Sequence, residues 1–346
     1  MLYLTIFICF ISSVLLTPLV KKLAIKIGAT DKPNYRKVHQ KIMPRLGGLA
    51  IFISFIIGML ILSPEQKYTL PIIIGSLIIV ITGVLDDMKE LSAKVKLLGQ
   101  IIAALVVVLW GGLHIDIINL PFGGALSLGI FSIPFTIIWI IAITNAINLI
   151  DGLDGLAAGV SSIALISICG MAILQGNLGI AIMAAIVLAS TLGFLLYNFH
   201  PAKIFMGDTG ALFLGFIISV LSLLGFKSLT FISLIIPVII LGVPISDTFF
   251  AIIRRIVNKQ PIGAPDKSHL HHCLLRIGFS HRQVVLIIYA LAAMFGLAAF
   301  IFTMATMWGS FIFIAVMLIA IELFVESIGL IGKDYKPLIK FIRNRS

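Results

Sequence analysis

The chain has 346 residues, of which 60% are hydrophobic and 11% are charged, and its mean hydropathy is +1.18. These values exclude ordinary water-soluble domains and indicate that lipid surrounds most of the chain. The formal charge of +11 does not indicate a nucleic-acid partner, because an excess of Lys and Arg in cytoplasmic loops is typical of membrane proteins.

Eleven stretches are apolar enough, and about long enough, to cross a membrane as helices. In chain order they are residues 1–20, 46–62, 69–85, 97–113, 130–146, 156–174, 177–197, 211–226, 230–250, 284–305 and 308–329. The first lacks a basic leader and a small-residue cleavage site, so we expect a retained span and not a signal peptide. The predicted fold class is an all-α integral membrane protein, with residues 1–346 forming one polytopic domain.

The distribution of Lys and Arg predicts the orientation of these spans. With the N-terminus outside and the C-terminus in the cytoplasm, 23 of the 25 basic residues fall on the cytoplasmic side, leaving only Lys67 and Lys227 outside. We therefore expect an inner (plasma) membrane protein with cytoplasmic catalytic loops at about 21–45, 86–96, 147–155, 198–210 and 251–283.

Five aspartates stand where cytoplasmic loops meet predicted spans: Asp86, Asp87, Asp151, Asp154 and Asp208. Carboxylates at a membrane edge are costly unless they are paired, hydrated or bound to a cation, so the group suggests a shared electropositive ligand. Mg²⁺ and Mn²⁺ prefer oxygen ligands and leave coordination positions open for phosphate. The alternative for any single aspartate is a structural helix cap.

The loop GVLDDMKELSAKVKLLGQ places Asp86 and Asp87 close to Lys94 and Lys96. Such carboxylates bind metal or accept protons, and the lysines would hold an anionic substrate beside them. The alternative is a charged turn between two spans.

The most specific element is TNAINLIDGLDGLAAG, in which Asn145, Asn148, Asp151 and Asp154 recur every three residues. This spacing puts the four side chains roughly along one side of a helical segment. A purely structural turn would not require four such side chains in register, so the pattern favours a binding site.

In YNFHPAKIFMGDTGALFLG, Asp208 stands just before a predicted helix start, where free N–H groups favour phosphate. Asn198 and Phe205 would supply an amide contact and a stacking face for a nucleobase. A simple helix cap is the alternative if GDTG is taken alone.

The loop APDKSHLHHCLLRIGFSHRQ is rich in donors suited to a diphosphate or sugar. They are His269, His271, His272, Arg276, His281 and Arg282. No cysteine or acid stands at zinc-finger spacing, which argues against structural zinc, whereas a pH-sensitive surface loop is an alternative. The role of Asp247, near the cytoplasmic end of the ninth stretch, is open between pairing with Arg254 or Arg255 and a functional part.

These segments, from KVHQKIMPRLGG at 37–48 to the His-rich loop ending near 282, resemble the polyprenyl-phosphate N-acetylhexosamine-1-phosphate transferases of the glycosyltransferase 4 type. HLHH and PRLGG look like the N-acetylglucosamine branch, which starts teichoic acid, O-antigen and common antigen synthesis. The phospho-N-acetylmuramoyl-pentapeptide transferase branch usually has three consecutive histidines and a TPTMGG-like first loop. The counterpart of that branch's first-loop lysine is open between Gln40 and Lys41.

The resemblance implies Mg²⁺-dependent transfer of N-acetylglucosamine 1-phosphate from UDP-N-acetylglucosamine to undecaprenyl phosphate, with release of UMP. Direct attack is favoured over a covalent aspartyl intermediate. The catalytic residues implied are Asp86, Asp87, Asp151 and Asp208. Metal would bind Asn148 and Asp208, and the lipid phosphate would bind Lys96 with help from Lys94. The remaining UDP-sugar contacts implied are Asp154, Asn198 and Phe205, with His269, His271, His272 and Arg276 for the diphosphate or sugar.

Two other classes are weighed against an enzyme. A secondary transporter predicts acids near span midpoints and inverted repeats, whereas these acids cluster at one face and no repeat is evident. A non-catalytic scaffold that binds anionic lipid leaves the Asn/Asp ladder unexplained. A homodimer within the membrane lipid is compatible with the sequence, which does not give the oligomeric state.

Overall fold

A computed structural model describes most of the chain. The described residues are 1–31, 42–62, 67–119, 124–226, 231–257, 259–261, 268–330 and 335–343. The two first-loop positions, Gln40 and Lys41, lie outside them.

Fourteen α-helices are present in the described part of the chain. They are α1 (Leu2–Ile27), α2 (Gly48–Leu62), α3 (Thr69–Lys89), α4 (Ala93–Leu105), α5 (Ser132–Ile150), α6 (Leu156–Leu174), α7 (Leu178–Asn198), α8 (Gly207–Phe226), α9 (Phe231–Ile240), α10 (Gly242–Val257), α11 (Leu270–Ile277), α12 (His281–Met304), α13 (Met307–Ile328) and α14 (Pro337–Arg343). A π-helical turn, Val106–Trp110, extends α4, and a 3₁₀ turn, Gly129–Phe131, precedes α5.

Two short antiparallel strand pairs accompany the helices in the described part of the chain. Strand β1 (Thr30–Asp31) pairs with β2 (Met43–Pro44), with Thr30 opposite Pro44. Strand β3 (Ile117–Asn119) pairs with β4 (Ala125–Ser127) in the connection between α4 and α5.

Nine helices of the described residues have the length and apolar composition needed to cross a membrane. The protein is therefore a multi-pass, helical membrane protein, which confirms the predicted class at this level. Helix α2 matches the second predicted span but has only 15 residues, or about 22 Å at the rise of an α-helix. The number of spans and their orientation stay predictions.

The ninth predicted stretch, 230–250, is not one helix. It divides into α9 and α10, which meet at Leu241, and α10 continues to Val257. Pro237 lies inside α9, and a proline within a helix removes a backbone hydrogen bond and favours a bend. Hydropathy alone does not reveal this break, because the residues next to Leu241 on both sides, Ile239–Ile240 and Gly242–Val243, are apolar or small.

Helix α8 lies at the centre of the bundle and carries the predicted site residue Asp208 at its first turn. Of its apolar 18-residue window 89% is buried, compared with 11% for α13. It packs against α2, α3, α5 and α6. The N-terminus of α8 is thereby fixed among the ends of its neighbours.

Glycines allow α8 to approach its neighbours at backbone distance. A Cβ atom on Gly48 of α2 would lie 2.0 Å from the Gly210 backbone nitrogen, and one on Gly83 of α3 would lie 2.4 Å from the Thr209 Cα. Side chains at these positions would push α2 and α3 away from the start of α8. The contacts therefore set the position of Asp208.

We expect Gly48→Ala to destabilise the protein by about 1–3 kcal/mol, because backbone atoms of α8 would have to move. The measurement is thermal unfolding in detergent. Unfolding is monitored as the loss of the monodisperse peak in size-exclusion chromatography after heating. Gly225→Ala, near the other end of α8, is the matched control, since a Cβ there meets nothing within 4 Å. Equal melting temperatures for the two variants would contradict this packing account.

Candidate active site

One end of the bundle contains a cavity of about 520 Å³. It lies where α3, α5 and α7 end and α4, α6, α8 and α12 begin. Predicted site residues that line it are Asp87, Lys96, Asn148, Asp151, Asp154, Asn198, Phe205, Asp208 and His272. Residues from four separate sequence segments therefore meet in one place.

Lys96 lies at the centre of the acidic half of this cavity. Its Nζ is 2.8 Å from Asp208 Oδ2 and 3.4 Å from Asp86 Oδ2. Asn148 Nδ2 donates to the same Asp208 oxygen at 3.4 Å, and Asp86 Oδ1 accepts from the Leu91 backbone N–H at 2.8 Å. One ammonium group thus lies between two carboxylates from helices that are distant in sequence.

Asp87 differs from its neighbour because the first residues of α8 occupy both of its oxygens. Oδ1 accepts from the Asp208 N–H at 3.0 Å, and Oδ2 accepts from the Thr209 N–H at 3.1 Å and from the Thr209 hydroxyl at 2.6 Å. Its side chain is 0% exposed. Asp87 therefore supplies, from another helix, the cap that the free N–H groups of a helix start need.

Arg45 lines the cavity, although its sequence context predicts no role for it. Its guanidinium donates to the backbone carbonyls of Asp86 and Asp87 at 3.3 Å, and its Nε lies 3.7 Å from Asp87 Oδ1. It comes from the PRLGG segment, which carries part of the family resemblance and distinguishes two branches, without a role predicted for Arg45. The available signal was a basic residue close to two glycines at the start of an apolar stretch.

Asp151 has no hydrogen-bond or ion-pair partner for its carboxylate among the described residues. Its burial and, after that, the nearby carboxylates of Asp208, Asp87 and Asp154 raise its pKa to about 8. A carboxyl group in this setting holds its proton near neutral pH unless a cation approaches. Asp151 is thus the least satisfied acid of the cavity.

The opposite half of the cavity is built around Asp154. His200 Nδ1 lies 2.8 Å from Asp154 Oδ2, and the Asp154 backbone N–H donates to His281 Nε2 at 3.0 Å. The sequence predicts no role for His200, because nothing in the chain order links it to Asp154. Only the fold brings the two together.

Asn198 and Phe205 line the same half and connect its loops. Asn198 Oδ1 accepts from the Gly155 N–H at 3.1 Å, and its Nδ2 donates to the Ile204 carbonyl at 3.0 Å. The Phe205 backbone N–H donates to the Pro44 carbonyl at 2.9 Å. The Asn198 amide therefore holds two loops in place, and its predicted contact with a nucleotide stays a prediction.

The residues predicted from the His-rich loop separate into different environments. His272 lines the cavity, whereas His269 Nδ1 lies 2.9 Å from Asp247 Oδ2. Asp247 Oδ1 also accepts from the Leu270 N–H at 2.7 Å. Asp247 thus caps the start of α11 and pairs with a histidine, which ties the His-rich loop to α10.

His271 and Arg276 lie away from the cavity lining. His271 packs against Gly152: a Cβ atom added to Gly152 would lie 2.3 Å from His271 Nε2. Burial, with a smaller contribution from His272, lowers the pKa of His271 to about 3, so its imidazole is neutral near pH 7. Arg276 is exposed, with Nη2 3.4 Å from Cys273 Sγ. Lys94 is exposed as well, and it does not line the cavity as Lys96 does.

The acidic half fits a divalent cation that prefers oxygen. Carboxylate oxygens of Asp86, Asp87 and Asp208 lie within 4.8 Å of one another, and Asp151 is close enough to be affected by two of them. Lys96 and Arg45 supply two positive charges against these three carboxylates. An all-oxygen donor set with excess negative charge suits Mg²⁺ or Mn²⁺ better than zinc.

Comparison of the sequence with known proteins shows the family of this chain. The sequence model of glycosyl transferase family 4 matches residues 69–226. A protein of Bacillus subtilis (strain 168), named a probable undecaprenyl-phosphate N-acetylglucosaminyl 1-phosphate transferase, is 53% identical over 98% of this chain and 96% of its own length. This chain belongs to glycosyl transferase family 4.

Two further relatives agree with the resemblance seen in the motifs. A decaprenyl-phosphate N-acetylglucosaminephosphotransferase of Mycobacterium tuberculosis is 35% identical over 85% of this chain and 82% of its own. An undecaprenyl-phosphate alpha-N-acetylglucosaminyl 1-phosphate transferase of Yersinia pestis is 28% identical over 88% and 85%. The predicted resemblance to polyprenyl-phosphate N-acetylhexosamine-1-phosphate transferases is confirmed.

Proposed function

We propose that the protein transfers N-acetylglucosamine 1-phosphate from UDP-N-acetylglucosamine to undecaprenyl phosphate, giving undecaprenyl-diphosphate-N-acetylglucosamine and UMP. The observation that carries this proposal is Lys96 between Asp86 and Asp208 in the same cavity as Asp154 and Phe205. One end of the cavity can hold phosphate groups beside a cation, and the other offers an aromatic side chain and a carboxylate.

In the proposed reaction an oxygen of the acceptor phosphate attacks the sugar-bearing phosphorus of the donor. A new P–O bond forms, the bond between the two donor phosphates breaks, and UMP leaves with those electrons. The acceptor phosphate is already largely ionised near neutral pH, because its second pKa is about 6. Little base strength is therefore required, and orientation of the two substrates is the main contribution of the protein.

Lys96 is the proposed contact for the acceptor phosphate, because its ammonium lies inside the cavity and is held by two carboxylates. Asp86 would orient Lys96 through the 3.4 Å contact. Asp87 lines the cavity but both of its oxygens are occupied by the start of α8, and Asp86 contacts Lys96 from outside the cavity lining, so we assign Asp86 to orienting Lys96 and Asp87 to holding α8. Lys94, which is exposed, would attract the acceptor from a distance.

Asp208, Asn148 and Asp151 are the proposed residues for Mg²⁺ or Mn²⁺. The bound cation would offset the charge that develops on the diphosphate. Asp208 and Asn148 already share a contact at 3.4 Å, and Asp151 offers a carboxylate without another partner among the described residues. These three side chains would hold the cation facing the donor phosphates.

We also propose that the cavity faces the cytoplasm of an inner (plasma) membrane. The distribution of Lys and Arg supports this orientation. The predicted topology puts 23 of these basic residues on the side of the membrane that contains the cavity loops and 2 on the other side. The nucleotide-sugar donor is expected to be cytoplasmic, and its product would start an envelope polysaccharide.

The test is release of UMP by the purified protein in detergent with undecaprenyl phosphate, Mg²⁺ and a UDP-sugar. We expect UMP from UDP-N-acetylglucosamine, loss of the signal with EDTA, and recovery when Mg²⁺ is restored. UDP-N-acetylmuramoyl-pentapeptide is the parallel donor and should give no UMP.

Each other outcome has a definite meaning. UMP from the pentapeptide donor would move the protein to the peptidoglycan branch with the same chemistry. Unchanged activity in excess EDTA would contradict the proposed requirement for a divalent cation. If folded protein released no UMP from any nucleotide sugar of a wider panel, the proposed enzymatic function would be contradicted and a transporter would be favoured.

A further inference from the structure

Asp154 is held by two histidines that come from different parts of the chain. His200 contacts its side chain at 2.8 Å, and His281 accepts its backbone N–H at 3.0 Å. The two imidazole rings stack on each other, with centroids 4.2 Å apart and planes inclined by 23°. His200 therefore fixes the side chain of Asp154 and His281 fixes its backbone. The stacking of the two imidazole rings stabilises both histidines.

The hydrogen bonds assign a role to each ring nitrogen in this arrangement. His281 Nε2 accepts from a backbone N–H, so its proton is on Nδ1. His200 Nδ1 faces Asp154 Oδ2, which also accepts from the Ala202 N–H at 3.1 Å. Since a carboxylate oxygen only accepts, His200 Nδ1 carries the proton and donates.

Both of these donors reach the same carboxylate oxygen of Asp154. The other oxygen, Oδ1, has no hydrogen-bond donor within the described residues, and the side chain remains 16% exposed in the cavity wall. An acceptor oxygen that the fold orients but leaves open is suited to an N–H or O–H group of a ligand. It is unsuited to a diphosphate, which it would repel.

The first turn of α12 holds this arrangement from outside. His281 is the first residue of α12, where Ser280 and Gln283 form a reciprocal capping box. Arg282 Nη2 donates to the His200 carbonyl at 3.2 Å. Two adjacent residues of α12 therefore hold Asp154 and His200, so the helix start connects the His-rich loop to the donor side of the cavity.

We propose that His200 and His281 are positioning residues that aim Asp154 Oδ1 at the nucleoside or sugar part of the donor. This inference rests on the proposed function, and it extends that function to residues outside the acidic half of the cavity. The pair sets affinity for the nucleotide sugar, while the acceptor phosphate and the bond-breaking step depend on the group around Lys96.

A metal site is the competing interpretation of the same three residues. Their donor atoms lie within 4.8 Å of one another, and two histidines with one carboxylate form a common zinc ligand set. However, the lone pair of His281 Nε2 already accepts the Asp154 N–H, and the two rings stack on each other. The observed contacts favour a hydrogen-bonded support without metal.

The test compares kinetic constants of variants of the full-length protein in detergent, with saturating Mg²⁺. We expect His200→Ala to raise the KM for UDP-N-acetylglucosamine about tenfold or more, the effect of losing a hydrogen bond to a charged group. The KM for undecaprenyl phosphate and the kcat should change little. His200→Asn should recover most of the donor affinity, because its amide nitrogen takes the place of Nδ1.

His281 has its own pair of variants. His281→Ala should raise the same KM, and His281→Gln should recover it, since the Gln amide oxygen takes the place of Nε2 as an acceptor. His114→Ala is the matched control. His114 Nε2 lies 3.2 Å from Asp116 Oδ2, a comparable pair near strand β3 and outside the cavity lining, so its loss should leave both KM values unchanged.

Three results would overturn the inference. They are an unchanged donor KM in both Ala variants, equal changes in the KM values of donor and acceptor, and an Asn variant no better than Ala. One zinc ion per chain in the purified protein, lost on His200→Ala, would replace the inference by a metal site. If the wild type released no UMP from UDP-N-acetylglucosamine, the proposed function would fail. Calorimetric binding of UMP and UDP-N-acetylglucosamine to wild type and His200→Ala would then still decide the positioning role.

Discussion

Asp208→Asn is expected to lower the rate of UMP release by about a thousandfold or more at saturating donor and acceptor. The carboxylate accepts from Lys96 and Asn148 and lies beside Asp86, so it contacts both the proposed phosphate contact, Lys96, and a proposed cation ligand, Asn148. An amide loses the charge needed at such a site, for which losses of this size are typical. The measurement is the initial rate of UMP release over a series of Mg²⁺ concentrations.

The same variant should remain folded, because an Asn oxygen can still accept from Lys96 and Asn148. Its melting temperature in detergent should therefore stay close to that of the wild type. Asp116→Asn is the control: Asp116 is exposed, pairs with His114, and lies outside the cavity lining. A rate within tenfold of the wild type for folded Asp208→Asn would contradict the assignment of Asp208.

Asp87→Ala is expected to damage the structure of the site as well as its activity. It would leave the Asp208 N–H, the Thr209 N–H and the Thr209 hydroxyl without their acceptor. Each unpaired buried donor costs about 1–3 kcal/mol, so we expect a loss of several kcal/mol and a clear fall in melting temperature. Thermal unfolding and UMP release measured on the same preparations test this.

Two further variants distinguish a structural role of Asp87 at the start of α8 from a direct role in the reaction. Asp87→Asn keeps one acceptor oxygen and should lie between wild type and Ala in both stability and rate. Thr209→Val removes only the 2.6 Å hydroxyl contact and should have the smallest effect. If Asp87→Ala melted like the wild type yet released no UMP, Asp87 would have a direct chemical part, as the resemblance implies.

Much of the site was predictable because its residues stand at the ends of hydrophobic stretches. Hydropathy places helix ends within a few residues, and acids at several such ends on one predicted side indicated a common site. Asn148, Asp151 and Asp154 of the predicted ladder do line the cavity, but α5 ends at Ile150, so the two aspartates lie in the turn after the helix. Asn145 bonds to Gln100 outside the cavity lining, and Asp208 lies in the first turn of α8 and not before it. The family also followed from motifs, because their order along the chain is a sequence property.

The sequence did not predict which of two neighbouring, chemically identical residues makes which contact. Asp86 and Asp87 are adjacent and chemically identical, and only the packing of α3 against α8 gives one of them to Lys96 and the other to the start of α8. Lys94 and Lys96 are equally basic, yet the turn of α4 exposes one and partly buries the other in the cavity. These distinctions depend on the direction of each side chain, which periodicity does not give.

The sequence by itself determined the membrane class, the family and the set of polar segments, because each depends on composition or on local order. Only the tertiary structure decided that His200 and His281 meet at Asp154, that Arg45 holds the carbonyls of Asp86 and Asp87, and that His269 belongs to Asp247. Such contacts join residues up to 127 positions apart. They exist because buried polar groups must find partners, and in a packed bundle the available partner is set by which helix ends come together.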